Sequence, residues 1–193
     1  MFKQTWTEYV NDCTDFLNNL SVRDEQGNEL DVNDGFAQWV EIALAAKRAR
    51  KVVYFCGNGA SASMASHFSA DLAKNGLTHT QVLIEPSLST AIGNDIGFED
   101  VFSFPLSVRG NEGDVLITIS SSGNSPNVVK AIEMAKSVGM KVITVSGLKE
   151  DNASRKNGHL NFYLPATTYG YVEATHGVLL HHWMDFMELH KED

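Results

Sequence analysis

Five short runs in this 193-residue chain are almost continuously apolar: VVYFC (52–56), QVLIE (81–85), DVLITIS (114–120), KVITVS (141–146) and LNFYLP (160–165). A strand with one wet face alternates apolar and polar residues, whereas a strand apolar at successive positions must be covered on both faces. Between the runs the apolar period changes from strand-like to helical. Residues 60–74 are a helical stretch rich in small residues, and in 126–138 Val128, Ile132 and Ala135 share one face. Pro126 suits the first turn of that second helix, and Gly139 suits the position just past its end. Strands alternating with helices predict an α/β fold, a doubly wound parallel sheet of five strands. The length fits one domain, 1–193, with a helical arm over 1–50 and an α/β core over 51–193.

The arm comprises two amphipathic helical patterns, 1–20 and 34–50, joined by the polar stretch VRDEQGNELDVND. Trp6, Tyr9, Val10, Cys13, Phe16, Leu17 and Leu20 form a broad apolar stripe on the first. Such a stripe either lies across the sheet or meets another subunit, and an oligomer is the expectation. Residues 171–190 read as a final helix. The stretches 21–33 and 148–158 carry no assignable role and read as mobile.

Composition excludes some functions. A net charge of −9 without a Lys/Arg cluster is unsuited to gripping a nucleic-acid backbone. No apolar run approaches the roughly 20 residues of a membrane-spanning helix. The N-terminal MFKQTWTEYVNDCTDF lacks the pattern of a secretory signal. Two cysteines, Cys13 and Cys56, are too few for a disulfide framework, which points to a reducing, cytoplasmic setting.

The strongest chemical signal is SSSGNS, which follows an apolar strand and immediately precedes a helix. In a doubly wound sheet, ligands bind beyond the carboxyl ends of the strands. A helix N-terminus there offers unpaired N–H groups and the positive end of a dipole. Gly123 allows a sharp turn, and Ser120, Ser121, Ser122 and Ser125 supply hydroxyls to an anion. One serine would mean only a helix cap; four beside Gly-Asn favour a phosphate. The loop Gly57-Asn58-Gly59-Ala60-Ser61 repeats the strand–loop–helix logic and offers a second wall.

These segments, with AIGNDIGFEDVF between them, resemble the sugar isomerase (SIS) domain, and more narrowly the phosphoheptose isomerases. The resemblance runs through nearly the whole chain. It implies a flavodoxin-like sheet and a homotetramer with active sites between subunits. It also implies a ketose–aldose isomerase, acting on sedoheptulose 7-phosphate in heptose synthesis for surface polysaccharide. The family's phosphate-binding serines fall on Ser61, Ser120, Ser122 and Ser125, and its sugar-contacting residues on Asn58 and Asp95. Its catalytic pair falls on Asp71 and His181. Some members bind zinc through positions that map to His67, Asp71, Glu173 and His181.

Helical spacing alone places His67 and Asp71 one turn apart on one face. Glu173 and His181 lie eight residues apart, about 80° around an ideal helix axis. Two His and two carboxylates drawn from two helices suit zinc or a similar ion, although an exposed i,i+4 His–Asp pair by itself is commonly just a surface pair.

The chain departs from the family pattern in four places. Asp71 replaces Glu, Ala62 replaces a His, Glu173 replaces Gln, and no acidic residue occurs at Tyr169–Tyr171. Without a cation, Glu173 beside Asp71 would be a repelling pair. Two alternatives therefore accompany the isomerase reading: a non-catalytic relative that regulates replication initiation, and a phosphosugar-sensing module. His181 argues against the first, and the absence of a DNA-binding domain and the acidic charge against the second.

Overall fold

The computed structural model describes residues 4–190. Among these, seven strands form one sheet in the order β2-β1-β7-β6-β5-β3-β4. The five apolar runs become β3 (Val53–Gly57), β4 (Thr80–Val82), β5 (Val115–Ser120), β6 (Lys141–Gly147) and β7 (Leu160–Leu164). They pair in parallel, and β3, β5 and β7 are buried throughout, as both-face coverage requires.

The two further strands correct the five-strand expectation. They lie within 21–33: β1 (Ser21–Asp24) and β2 (Glu29–Leu30) form a hairpin whose β1 runs antiparallel to β7. Their short, charged sequence hides them. Of β1 only Val22 is buried, and Arg23 and Glu29 form an ion pair across the hairpin. The stretch 148–158 is likewise structured: Asn152 caps the short helix α7 (Ala153–Asn157).

Helices cover both faces. On one lie α2 (Val32–Arg48), α3 (Ala60–Lys74) and α8 (Tyr169–Leu189). Here Trp39 stacks on Trp183 at 4.4 Å between ring centres, and Phe36, Phe68 and Phe162 complete an aromatic core. The helix α1 (Trp6–Asn18) begins with a capping box between Thr5 and Glu8 and leans on α8 through Tyr9, stacked on Tyr171 at 4.4 Å. The other face carries α4 (Pro86–Asp95), α5 (Ser103–Arg109) and α6 (Pro126–Ser137), which bury Ile92, Leu106, Val128 and Ile132.

Within the parallel part, β5 and β4 lie on opposite sides of β3, so the chain changes direction across the sheet between β3 and β5. A crevice opens at such a switch point, beyond the carboxyl ends of the strands. Both Gly/Ser loops of the sequence, after β3 and after β5, emerge there.

Candidate active site

A cleft of about 300 Å³ occupies the switch point, lined by Asn58, Gly59, Ala60, Ser61, Ser120, Ser121, Ser122, Ser125, Tyr169 and Glu173. Three helices, α3, α6 and α8, begin on its rim at Ala60, Pro126 and Tyr169. Their N-termini supply positive partial charge. Among the described residues no Lys or Arg lines the cleft, so an anion here would be held by N–H groups and hydroxyls.

The loop after β5 folds around Gly123, whose φ of +61° is the left-handed conformation that glycine adopts without strain. The Gly123 N–H donates to the Ser120 carbonyl and Oγ, and the Asn124 N–H donates to Ser122 Oγ. Ser125 is the N-cap residue of α6, yet its hydroxyl makes no capping bond, which leaves it available to a ligand. The loop after β3 turns through Gly59 at φ +56°, and Gly57 is so close to the Ile119 carbonyl and Ser61 that a Cβ would not fit. A reciprocal amide pair joins the two loops: Asn58 Nδ2 donates to Asn127 Oδ1 and Asn127 Nδ2 to Asn58 Oδ1, each at 2.9 Å.

Further along α3 and α8, away from their starts at the cleft, His67, Asp71 and His181 come together, with one ligating atom from each within 4.8 Å of the others. His67 Nε2 lies 3.3 Å from Asp71 Oδ2, and the His67 and His181 rings are 5.4 Å apart. Phe68, buried between them and the core, meets His181 edge-on at 4.9 Å. The cluster is open: the His67 side chain is 53% exposed and Asp71 29%. Two imidazoles and a carboxylate are a donor set that zinc accepts, with room for a substrate oxygen.

The structure thus assembles Asn58, Ser61, Ser120, Ser121, Ser122, Ser125 and Glu173 in the cleft, and His67, Asp71 and His181 in a separate cluster further along α3 and α8. It does not add Glu173 to the three-residue cluster. Eight residues of α8 separate Glu173 from His181, about 12 Å of helix rise. Asp95 stands apart from both groups, exposed at the end of α4, where it accepts from Asn94 Nδ2. His182 packs edge-on against Phe36, on the side of α2.

Sequence reasoning missed three features here: Tyr169 in the cleft wall, the Asn58–Asn127 pair, and His176. The helix-start signal at Pro126 and the spacing of the two Gly/Ser loops could have pointed to Asn127. His176 is fully buried in α8, and burial pushes its pKa down to about 4, with the Ser146 backbone pulling weakly the other way. It is therefore a neutral ring near pH 7. Burial also raises the Cys56 thiol far above its ordinary value.

Comparison with known proteins shows the family. The SIS domain family matches residues 15–147. A phosphoheptose isomerase from Helicobacter pylori (strain P12) is 37% identical over 144 residues, covering 72% of this chain and 74% of that one. The chain belongs to the phosphoheptose isomerase branch of the SIS family. The phosphoheptose isomerase of Neisseria gonorrhoeae superposes with a TM-score of 0.80 at 29% identity, over 94% of each chain. One from Francisella tularensis, 23% identical, gives 0.81 over 95% of this chain and 94% of that one, a likeness of fold. Among the described residues no helix is long and apolar enough to cross a membrane.

Proposed function

We propose that this protein is a ketose–aldose isomerase that converts sedoheptulose 7-phosphate to glycero-manno-heptose 7-phosphate through an enediol. The observation that carries the reading is a serine-lined anion cleft in a relative of the phosphoheptose isomerases, with a His–Asp–His cluster further along the two helices that begin on its rim.

Ser61, Ser120, Ser122 and Ser125 hold the phosphate, helped by three helix N-termini. Asn58 and Glu173 then face the sugar hydroxyls as acceptors and donors. Asp71 and His181 divide the proton work. One takes the proton from C1 of the ketose while the carbonyl oxygen on C2 gains a proton, giving the enediol. A proton then returns to C2 as the C1 hydroxyl loses its own, and the aldehyde forms without any external oxidant or reductant. Positioned groups of this kind contribute about 10²–10⁴-fold each. As an alternative to that division of proton work, zinc held by His67, Asp71 and His181 would polarise the sugar's carbonyl and balance the negative charge of Asp71.

We further propose a cytoplasmic homotetramer with active sites at subunit contacts. Supporting this, Trp6 on α1 and Phe98, Val108 on the α4–α5 face stand more than half exposed, and the catalytic cluster is open on one side. The presence of His181 next to His67 and Asp71 weighs against a non-catalytic role in replication control.

The enediol is tested by running the reaction part-way in D₂O. Unreacted ketose and product should both carry solvent deuterium on the reacting carbons. Product formed with no deuterium at either carbon over many turnovers would indicate direct hydride shift and overturn the proton-transfer route.

A further inference from the structure

Behind the serine loop, on the side away from the cleft, stands a residue that touches no ligand position. Asn152 is 1% exposed and is the N-cap of α7, its Oδ1 accepting from the Arg155 N–H at 2.9 Å. That bond fixes the amide so that Nδ2 points the other way, donating to Lys149 O at 2.8 Å, Ser146 Oγ at 3.2 Å and Gly147 O at 3.4 Å. The side chain lies directly against Gly123, where a Cβ would collide with it. Gly123 is therefore required twice, by its φ and by this contact.

The neighbours of Asn152 reach the loop as well. The Ser154 N–H donates to the Gly123 carbonyl at 2.9 Å, and the Ala153 N–H to Asn124 Oδ1 at 2.9 Å. From β6, the Gly147 N–H donates to the Ser121 carbonyl at 3.1 Å. Carbonyls 121 and 123 are thus both held to the rear. In a planar trans peptide the N–H points opposite to the C=O. The amides of Ser122 and Asn124 accordingly face forward, the side on which Ser122 and Ser125 line the cleft. These two N–H groups flank the anion position, the Asn124 N–H acting through the Ser122 hydroxyl that accepts from it.

The support is itself anchored. Arg155, with its side chain 2% exposed, lies 4.2 Å over the Tyr163 ring and pairs with Glu150 at 3.0 Å and Glu29 at 3.4 Å. It also donates to Ser21 Oγ. The β1–β2 hairpin, through Ser21 and Glu29, therefore braces α7, and α7 braces the loop.

We propose that Asn152 is a positioning residue of the phosphate cradle, setting the orientation of the Ser121–Asn124 backbone and hence affinity for the substrate's phosphate group. The inference rests on the phosphate reading of the cleft. Asn152→Asp keeps the helix cap but loses the three Nδ2 donations and sets a negative charge beneath Gly123. Asn152→Ser keeps a capping oxygen and withdraws the side chain from Gly123.

The test measures inorganic phosphate as a competitive inhibitor, together with KM and kcat for sedoheptulose 7-phosphate, and phosphate binding by calorimetry independent of turnover. In Asn152→Asp the phosphate inhibition constant and KM should both rise about tenfold, the scale of lost buried hydrogen bonds, while kcat changes by less than about threefold. Asn152→Ser should move the same two constants in the same direction and serves where the Asp variant does not fold. A merely structural role would lower the melting temperature or active fraction and leave the inhibition constant of the active protein unmoved. Unchanged phosphate affinity in either folded variant overturns the proposal. If the parent protein binds neither phosphate nor phosphosugar, the phosphate reading falls first and this inference with it.

Discussion

The two walls of the proposed site, the serine cleft and the His67–Asp71–His181 cluster, differ in how much of the protein holds them. Ser120 and Ser121 are buried at the end of a central strand, and their loop is tied by hydrogen bonds to β6, α7 and, through Asn58–Asn127, to the loop after β3. His67, Asp71 and His181 project from two helices, are partly or well exposed, and among the described residues share one close imidazole–carboxylate contact. The difference suits the tasks proposed for them. A phosphate is a fixed shape with fixed charge, and a rigid cradle binds it without reorganisation. Acid–base groups act on atoms that change protonation, and their final geometry forms only with substrate, metal or a neighbouring subunit in place.

If the walls are separable, changes in one should leave the other intact. The largest effect is expected at the open wall. His181→Ala, and likewise Asp71→Asn, should lower kcat by about 10²–10⁴-fold while inorganic phosphate still binds as in the parent. Steady-state kinetics paired with calorimetry separates the two quantities, and an equal loss of phosphate affinity would show that the walls are coupled.

Next comes acid stability, which probes the ordered side. His176 is neutral in the fold, with a pKa of about 4 against an ordinary 6.5. Between those values the unfolded chain binds the extra proton, so stability falls as pH drops from about 6.5 toward 4 and is fully present above that window. The loss by pH 4 is on the order of 3 kcal/mol. His176→Gln should flatten this slope in denaturant titrations across pH; an unchanged slope would assign the acid sensitivity to other groups.

A smaller change is expected at the cradle. Ser122→Ala should weaken phosphosugar binding by about 10-fold, the range for one hydrogen bond to a charged group, with kcat little altered. Equal affinity in mutant and parent would remove the phosphate role of this loop. The least effect concerns the buried core thiol. Cys56, fully buried with its pKa raised, should resist alkylation in the folded protein, with Cys13 modified first. Rapid native labelling of Cys56, seen by mass spectrometry, would mean that β3 opens readily.

The sequence reports these regions unevenly. The buried parallel strands and the helices after them are legible because burial on both faces forces unbroken apolar runs, and the ends of α3, α6 and α8 fall within two residues of expectation. The β1–β2 hairpin is not legible, because an edge pair of six residues rich in charge gives no period to read. Helices α4 and α5 escape for a related reason: they are short, α5 carries Pro105, and they bury few side chains. Of the site, the serines and the His67–Asp71 turn could be read directly, since each lies within one local segment. The placing of His181 against them needed the family resemblance, and the role proposed for Asn152 needed the fold, because the Gly123 loop it packs against is distant in sequence.

The most direct measurement is an NMR time course of the purified protein with sedoheptulose 7-phosphate, taken as prepared, after chelation, and after zinc is restored. The account predicts the steady appearance of aldoheptose 7-phosphate, slowed by chelation and recovered with zinc. Phosphosugar binding without any turnover under all three conditions would contradict it, and would leave the ordered wall as a binding site without an enzyme.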